Sequence, residues 1–369
     1  MRHITTRALT TIAAIALIAT TFSGSTALAS DEDGNGAVFT QTNAASGNAV
    51  LMFRRAAGGT LVPAGSYATG GSGSEVGLGS QRAVTLSENG QWLFVVDAGS
   101  NDIATFAVGE NGLTLIGRTA SGGTNPISVT TSGGTVYALN AGTPDVSGFA
   151  VAADGTLTPI AGSIQTLTGA GAAQVSFTSS GRALVVTMKA SSTISTLAVD
   201  RSGVAGAPHV YASSGSTPFG FGVGRQDEIV VTEAAGAPAG LSAASSYRVG
   251  DDGTLTLVSA SVGTTQQAAC WGLVDVSGRF AYTANAASDS ISLYAIDHDG
   301  AITLREAQAA HVAATHPLDL AMSEGGRFLY VLEPFTHSIG AYRVAADGGL
   351  TRISGATGLL MGAGGLAAR

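Results

Sequence analysis

Lys189 is the only lysine among 17 basic side chains, and it follows directly on the β-rich run that ends Thr187-Met188. An ammonium at the end of a strand could hold a carboxylate or polarise a lactone carbonyl, and a solvated loop lysine in an arginine-biased chain has the same appearance. Glu233 closes the run Val230-Val231-Thr232 and precedes the long stretch 234–246 of small residues. It could act as a base for water or as a proton donor, or it could cap a turn. His316 and Asp319 bracket a Pro-Leu pair, and Trp271 follows Cys270. The indole could stack on a ring substrate or pack between structural units. Cys270 has no basic neighbour in sequence to lower its pKa and reads as a small buried hydrophobe.

Other chemistries find no support. His311, His316 and Asp319 match no compact zinc spacing. The segment from Asp31 to Gly36 opens like a calcium loop, but Thr42 stands where the twelfth-position Glu belongs and a strand follows in place of a helix. It reads as a flexible acidic linker. No Gly-x-Ser-x-Gly elbow, phosphate-binding Gly-Lys-Ser/Thr loop, His-Glu-x-x-His pair or complete Gly-x-Gly-x-x-Gly occurs. The expectation is therefore no cofactor and no metal.

The elements that must position these residues recur. A glycine turn followed by Leu, Ile or Thr appears at Gly59, Gly112, Gly155, Gly253, Gly300 and Gly348, with a weaker copy at Gly203. The spacing of 43 to 53 residues is that of four-stranded propeller blades, and seven turns imply seven blades. Each unit has one grammar, clearest at 318–322, 327–332, 338–344 and 350 onward: four short β-rich runs separated by Gly, Asn and Asp. Inner strands begin near Ala83, Ile127, Val175, Phe219, Gly272 and Leu318. The first unit opens directly on a second-strand pattern at 37–41, and residues 364–369 look like a further inner strand. The sequence thus predicts an all-β, seven-bladed β-propeller of four-stranded antiparallel blades over 37–369, its ring closed by the C-terminal strand in the first blade.

With the four runs of each unit lettered A to D outward from the channel, the connections D-to-A and B-to-C meet around one mouth of that channel, a concave place that ligands favour. The candidates drawn from those connections are Arg82, Asn125, Gln174, Lys189, Glu233, Trp271, His316, Asp319, Glu333 and His337. Glu233, Lys189 and His316 form the expected catalytic set, and Arg82, Gln174, Trp271 and Asp319 the expected substrate contacts.

Residues 1–29 have a basic start (Arg2, His3, Arg7), an apolar run and the small-residue ending Ala27-Leu28-Ala29, the pattern of a secretory signal peptide cut near Ala29. No later stretch is long and apolar enough to span a bilayer. Residues 30–36 form the linker. Export leaves 15 basic against 25 acidic residues, a net charge of about −10. Such a chain repels nucleic acid and anionic membranes, and no basic cluster interrupts the acidity. A secreted bacterial monomer is expected, its partner a small carboxylate or lactone or an extracellular ligand.

The phrases GRALVVT from Gly181, FGFGV from Phe219, ACW from Ala269, GRFAYTAN from Gly278 and GRFLYVL from Gly326 together resemble the β-propeller lactonase family, also described as 6-phosphogluconolactonase-like or carboxymuconate-cyclase-like, with YVTN-type repeats. The resemblance spans residues 37–369. It implies a lactone hydrolase or cycloisomerase whose members place His, Arg and Glu around the channel funnel to hold an acidic sugar lactone or open-chain diacid. Where such members often carry His or Arg-His, this chain has Asn125-Pro126, Ala173-Gln174, Pro218-Phe219 and His316-Pro317, so only His316 retains an imidazole. Thr187-Met188-Lys189 stands where relatives can carry a carboxylate. The alternative function is a non-catalytic secreted binding or scaffold propeller.

Overall fold

The computed structural model describes Met1 and residues 36–369. The leader, its cleavage site and, apart from Gly36, the acidic linker lie outside the described residues. The unit from Glu32 to Arg369 contains seven antiparallel sheets, blades 1 to 7: residues 36–68 with 364–368, then 84–120, 126–166, 172–212, 218–263, 269–311 and 320–357, each with strands A to D outward from the channel. Blade 3 splits its outermost strand, Leu157–Pro159 and Gln165–Thr166 both pairing with Asp145–Val151. No helix of the described residues is long and apolar enough to cross a membrane.

The sequence pattern follows from where each strand sits. Strands B, such as Ala183–Met188, Phe280–Asn285 and Phe328–Glu333, are buried along their whole length. Neighbouring blades cover both their faces, which is why these runs are mostly apolar on both faces instead of alternating. Strands D at the rim, such as Leu61–Ala68, are largely exposed.

The repeated glycine turn joins blade to blade. Gly155 has φ +86°, and a Cβ there would lie 2.5 Å from the Trp92 ring of blade 2, so both the left-handed backbone and the close approach demand glycine. A tyrosine on strand B reaches the equivalent turn of the next blade. Tyr137, Tyr282 and Tyr330 donate their hydroxyls to the carbonyls of Gly203, Gly348 and Gly59 at 2.8, 2.8 and 3.0 Å. The last of these crosses from blade 7 to blade 1.

The ring closes as the sequence predicts. Gly364–Ala368 is the inner strand of blade 1 and pairs with Gly36–Gln41, Val38 opposite Ala368 and Phe39 opposite Ala367.

Candidate functional site

Four of the D-to-A connections, 121–125, 167–171, 213–217 and 264–268, have 5 residues each, whereas residues 69–83 between blades 1 and 2 number 15. The extra length lies across the channel mouth as a strap. Ser80 Oγ donates to the Ile127 carbonyl of blade 3 at 2.7 Å, and the Gln81 amide N–H to the Ala173 carbonyl of blade 4 at 3.1 Å. The Gln81 side chain pairs with the backbone of Gly272 in blade 6 through both its atoms, at 2.8 and 3.1 Å. The Arg82 amide N–H donates to Asp319 Oδ2 of blade 7 at 3.1 Å. One segment is thus bonded to four blades. Gly220 makes room for it: a Cβ there would fall 2.1 Å from Gln81 Oε1.

Strand register explains which predicted residues come together. Gln174 stands opposite Thr187 and Trp271 opposite Ala284, each one residue short of the end of strand B, and Asp319 lies at the same level, its carbonyl bonded to the Leu332 amide. β-bulges just before this level, at 172/174 and 269/271, re-aim the side chains that follow. Gln174 spends both amide atoms on the backbone of Phe221 in the next blade, at 2.8 and 2.9 Å. Trp271 Nε1 donates to the Ser80 carbonyl at 2.9 Å, and its ring leans on Phe219 at 4.9 Å.

Lys189 sits at the mouth above this level. Its ammonium donates to the Gly79 carbonyl of the strap and stands 4.4 Å above the Phe219 ring. Burial pulls its pKa below the ordinary value. The lysine therefore clamps the strap. Replacing it with Met keeps the stem but removes a charged hydrogen bond, so amide exchange across residues 77–80 should rise roughly tenfold. Exchange rates equal to those of the parent protein would show that the clamp is idle.

His316 stacks on the exposed Phe335 ring at 4.3 Å and 8°. Burial lowers its pKa, against the opposing pull of Asp289. With Trp271, Asp319, Leu318 and strap residues 77–80 it lines an outer chamber of about 210 Å³.

A second chamber, of about 220 Å³, lies under the strap and runs down the inner strands as far as Leu86, Val274 and Ala368. Asp319 lines both chambers, and Arg82 and Gln81 line the inner one. Among the described residues the Arg82 guanidinium makes no hydrogen bond and no ion pair within 4.0 Å, although Asp319 is near enough to act on it by charge. Burial outweighs the attraction between Arg82 and Asp319: it lowers the Arg82 pKa and pushes the Asp319 carboxyl up to about 7.

Glu233 does not join this group. It is buried within blade 5, where Ser245 Oγ, the Gly215 amide and Ser261 Oγ donate to its two oxygens at 2.5, 2.8 and 2.7 Å. It shares no hydrogen-bond partner with Lys189, so these two members of the expected catalytic set are not joined by hydrogen bonds. The reason lies in the repeat. The last residue of strand B is a buried polar group in most blades: Gln41, Asp97, Asn140, Glu233, Asn285 and Glu333. In blades 3 and 6 it ties down the hairpin, and in blades 5 and 7 the hairpin and the outer strand. Glu333 does so with Arg352, through two bonds of 2.9 and 2.8 Å.

Asn125 and His337 adopt left-handed backbone, φ 53° and 52°, and serve as corners. Cys270 is buried, and desolvation pushes its thiol up to about 12. Among the described residues no cluster of three or more His, Cys, Asp or Glu could hold a metal ion. Sequence reasoning missed Gln81 and the strap; the legible signal was the length of the 69–83 connection.

The model of the family "Lactonase, 7-bladed beta-propeller" matches residues 47–168 and 257–358. Its gap spans Lys189 and Glu233. Several solved structures share the fold. A 6-phosphogluconolactonase candidate from Bacteroides fragilis is 17% identical, with 91% of this chain and 98% of that one covered and a TM-score of 0.70. A second such candidate, from Bacteroides uniformis, is 18% identical, with 88% and 97% covered and a TM-score of 0.70. A protein from Lactobacillus plantarum is 17% identical, with 91% and 99% covered and a TM-score of 0.73. At these identities the likeness is one of fold. No curated protein matches the chain in sequence. Carried by the family match over both halves of the ring, the chain belongs to the seven-bladed β-propeller lactonase family.

Proposed function

We propose that this propeller acts on a small lactone or carboxylate held in the central channel, with Arg82 and Asp319 as its polar centre. The observation that carries the reading is Arg82: it lines the inner chamber, its guanidinium makes no hydrogen bond or ion pair among the described residues, and it interacts with a carboxyl poised near neutrality. A guanidinium in a recessed site binds a carboxylate or supports the oxyanion formed when a lactone carbonyl is attacked. Asp319 in its basic form can take a proton from water as the oxygen adds to the carbonyl. The ring C–O bond then breaks, and that proton passes to the departing alkoxide. Both chambers are smaller than the ~300–1,000 Å³ of ordinary small-molecule pockets, which favours a compact monocyclic substrate. Screening purified protein against a lactone panel, with proton release as the readout, tests the reading. Release that is the same in the parent protein and in Arg82→Met would overturn it.

A second reading, binding without turnover, is favoured by the strap, which already occupies the mouth and satisfies Lys189 and Trp271 with its own carbonyls. It predicts carboxylate binding without proton release.

Export belongs to the same proposal. The basic start, apolar run and Ala27-x-Ala29 ending support cleavage that leaves Ser30 first. Intact mass of material secreted by an expressing bacterium should correspond to residues 30–369, and a start well outside residues 28–34 would refute the assignment.

A further inference from the structure

We propose that Asp97 and Asp102 share one proton, and that this proton latches the root of the strap. Asp97 ends strand B of blade 2, Asp102 begins strand C, and the two stand opposite each other across the hairpin. Both are buried. Asp97 Oδ1 accepts from Asn48 Nδ2 and Thr69 Oγ1, each at 2.8 Å. Asp102 Oδ2 accepts from Arg118 at 2.9 Å. The two remaining oxygens, Asp97 Oδ2 and Asp102 Oδ1, are buried with no hydrogen-bond partner among the described residues.

The other blades show what is missing. At the same hairpin position Asn140 Nδ2 donates to Asp145 Oδ1 at 2.7 Å in blade 3, Asn285 Nδ2 to Ser290 Oγ at 3.1 Å in blade 6, and Ser338 Oγ to Glu333 Oε2 at 3.0 Å in blade 7. Each of these pairs includes a donor. Blade 2 sets carboxyl against carboxyl, and a proton between the two orphaned oxygens supplies the donor. Burial, with Asp102 adding to it, pushes the Asp97 carboxyl up to about 7. The charged group facing the pair is Arg118; blade 1 contributes Asn48 and Thr69, which are neutral.

The strap starts on this carboxyl. Thr69 is its first residue, and a Cβ on Gly71 would lie 2.4 Å from Asp97 Oδ2. Loss of the proton places two like charges together beneath that backbone. The bearing of this latch on ligand access rests on the reading of the channel given above; the shared proton does not.

Folded, Asp97 keeps its proton to about pH 7; unfolded, it releases it near pH 4. Its contribution to stability therefore declines as pH rises between those values and is level above them. Asp97→Asn places an amide where blade 3 has Asn140 and removes the need for the proton. The Tm of the variant minus that of the parent protein should be larger by roughly 5 °C at pH 8 than at pH 4.5. Amide exchange over residues 69–83, corrected for its intrinsic pH dependence, should rise about tenfold across neutrality in the parent protein and stay level in the variant. A Tm difference that does not change with pH overturns the shared proton. A pH-dependent Tm difference with the same strap exchange in both proteins overturns the latch and leaves the channel reading untouched. If Asp97→Asn fails to fold, Asp102→Asn offers an amide from the other side and must abolish the same slope.

Discussion

Removal of residues 362–369 is expected to lower the melting temperature by about 10 °C or more and to broaden the transition. Those residues supply the inner strand of blade 1. Without them Gly36–Gln41 loses its partner on the channel side, including the reciprocal Ala37–Arg369 bonds at 3.2 and 2.9 Å. Leu366 and Ala367, 5% and 8% exposed, leave the core with them. A buried Leu is worth roughly 2 kcal/mol and each net backbone hydrogen bond about 1 kcal/mol. The loss therefore reaches about 5 kcal/mol, comparable with the whole stability of many domains. At roughly 2 °C per kcal/mol for a large domain, the shift exceeds that of an ordinary frayed tail. The exposed strand edge should also promote association. Thermal melting with light scattering reads both effects, and a truncated protein melting within about 2 °C of the full chain would mean that the ring closes by other contacts.

That seam was legible because a strand pattern without its hairpin partner is visible in the letters themselves. Residues 37–41 begin where a second strand should begin, and residues 364–369 end where a first strand should. The blades were legible for the same reason: strand identity follows from local burial, and burial repeats. The site was not. Glu233 and Lys189 both follow B strands, but register decides which way each points. Glu233 turns into its blade toward Ser245 and Ser261, while Lys189 reaches inward to Gly79. A one-residue difference reverses that direction: Lys189 lies just beyond the last residue of its strand, and Glu233 is the last residue of its own. Gln174, Trp271 and Asp319 stand at one level because strand register gives them one position in the repeat. Gln81 was not found, since a strap belongs to no repeat.

The same logic separates two kinds of polar residue. Glu233 and Glu333 hold their hairpins and outer strands, and their chemistry is spent on the fold. Arg82 and Asp319 line a chamber, and among the described residues the Arg82 guanidinium makes no hydrogen bond. A functional reading belongs with the second kind.

Asp319→Asn is expected to cut turnover of a lactone substrate about 10²–10⁴-fold, the usual loss for a positioned acid or base. The fold should survive, because Asp319 accepts backbone N–H bonds from Arg82 and Leu320 at 3.1 and 2.9 Å that an amide oxygen can still accept in part. Burial holds the Asp319 carboxyl at about 7. If it takes a proton from water, it must first be ionised, so kcat/KM in the parent protein should rise with pH and level off above about 7. The variant should lose that limb. Stability should move the other way: the folded carboxyl keeps a proton that the unfolded chain releases near pH 4, so stability falls between about pH 4 and 7, and Asp319→Asn should flatten this part of the slope as well. The binding-only reading predicts an opposite pH dependence of function. A carboxylate beside Arg82 is repelled once Asp319 carries its own charge, so affinity should weaken as pH rises through about 7, and Asp319→Asn should hold it at the low-pH value. Activity rising through neutrality, lost in the variant, marks Asp319 as the base; affinity falling through neutrality with no proton release marks a receptor; and a pH-independent response in both proteins removes Asp319 from the site.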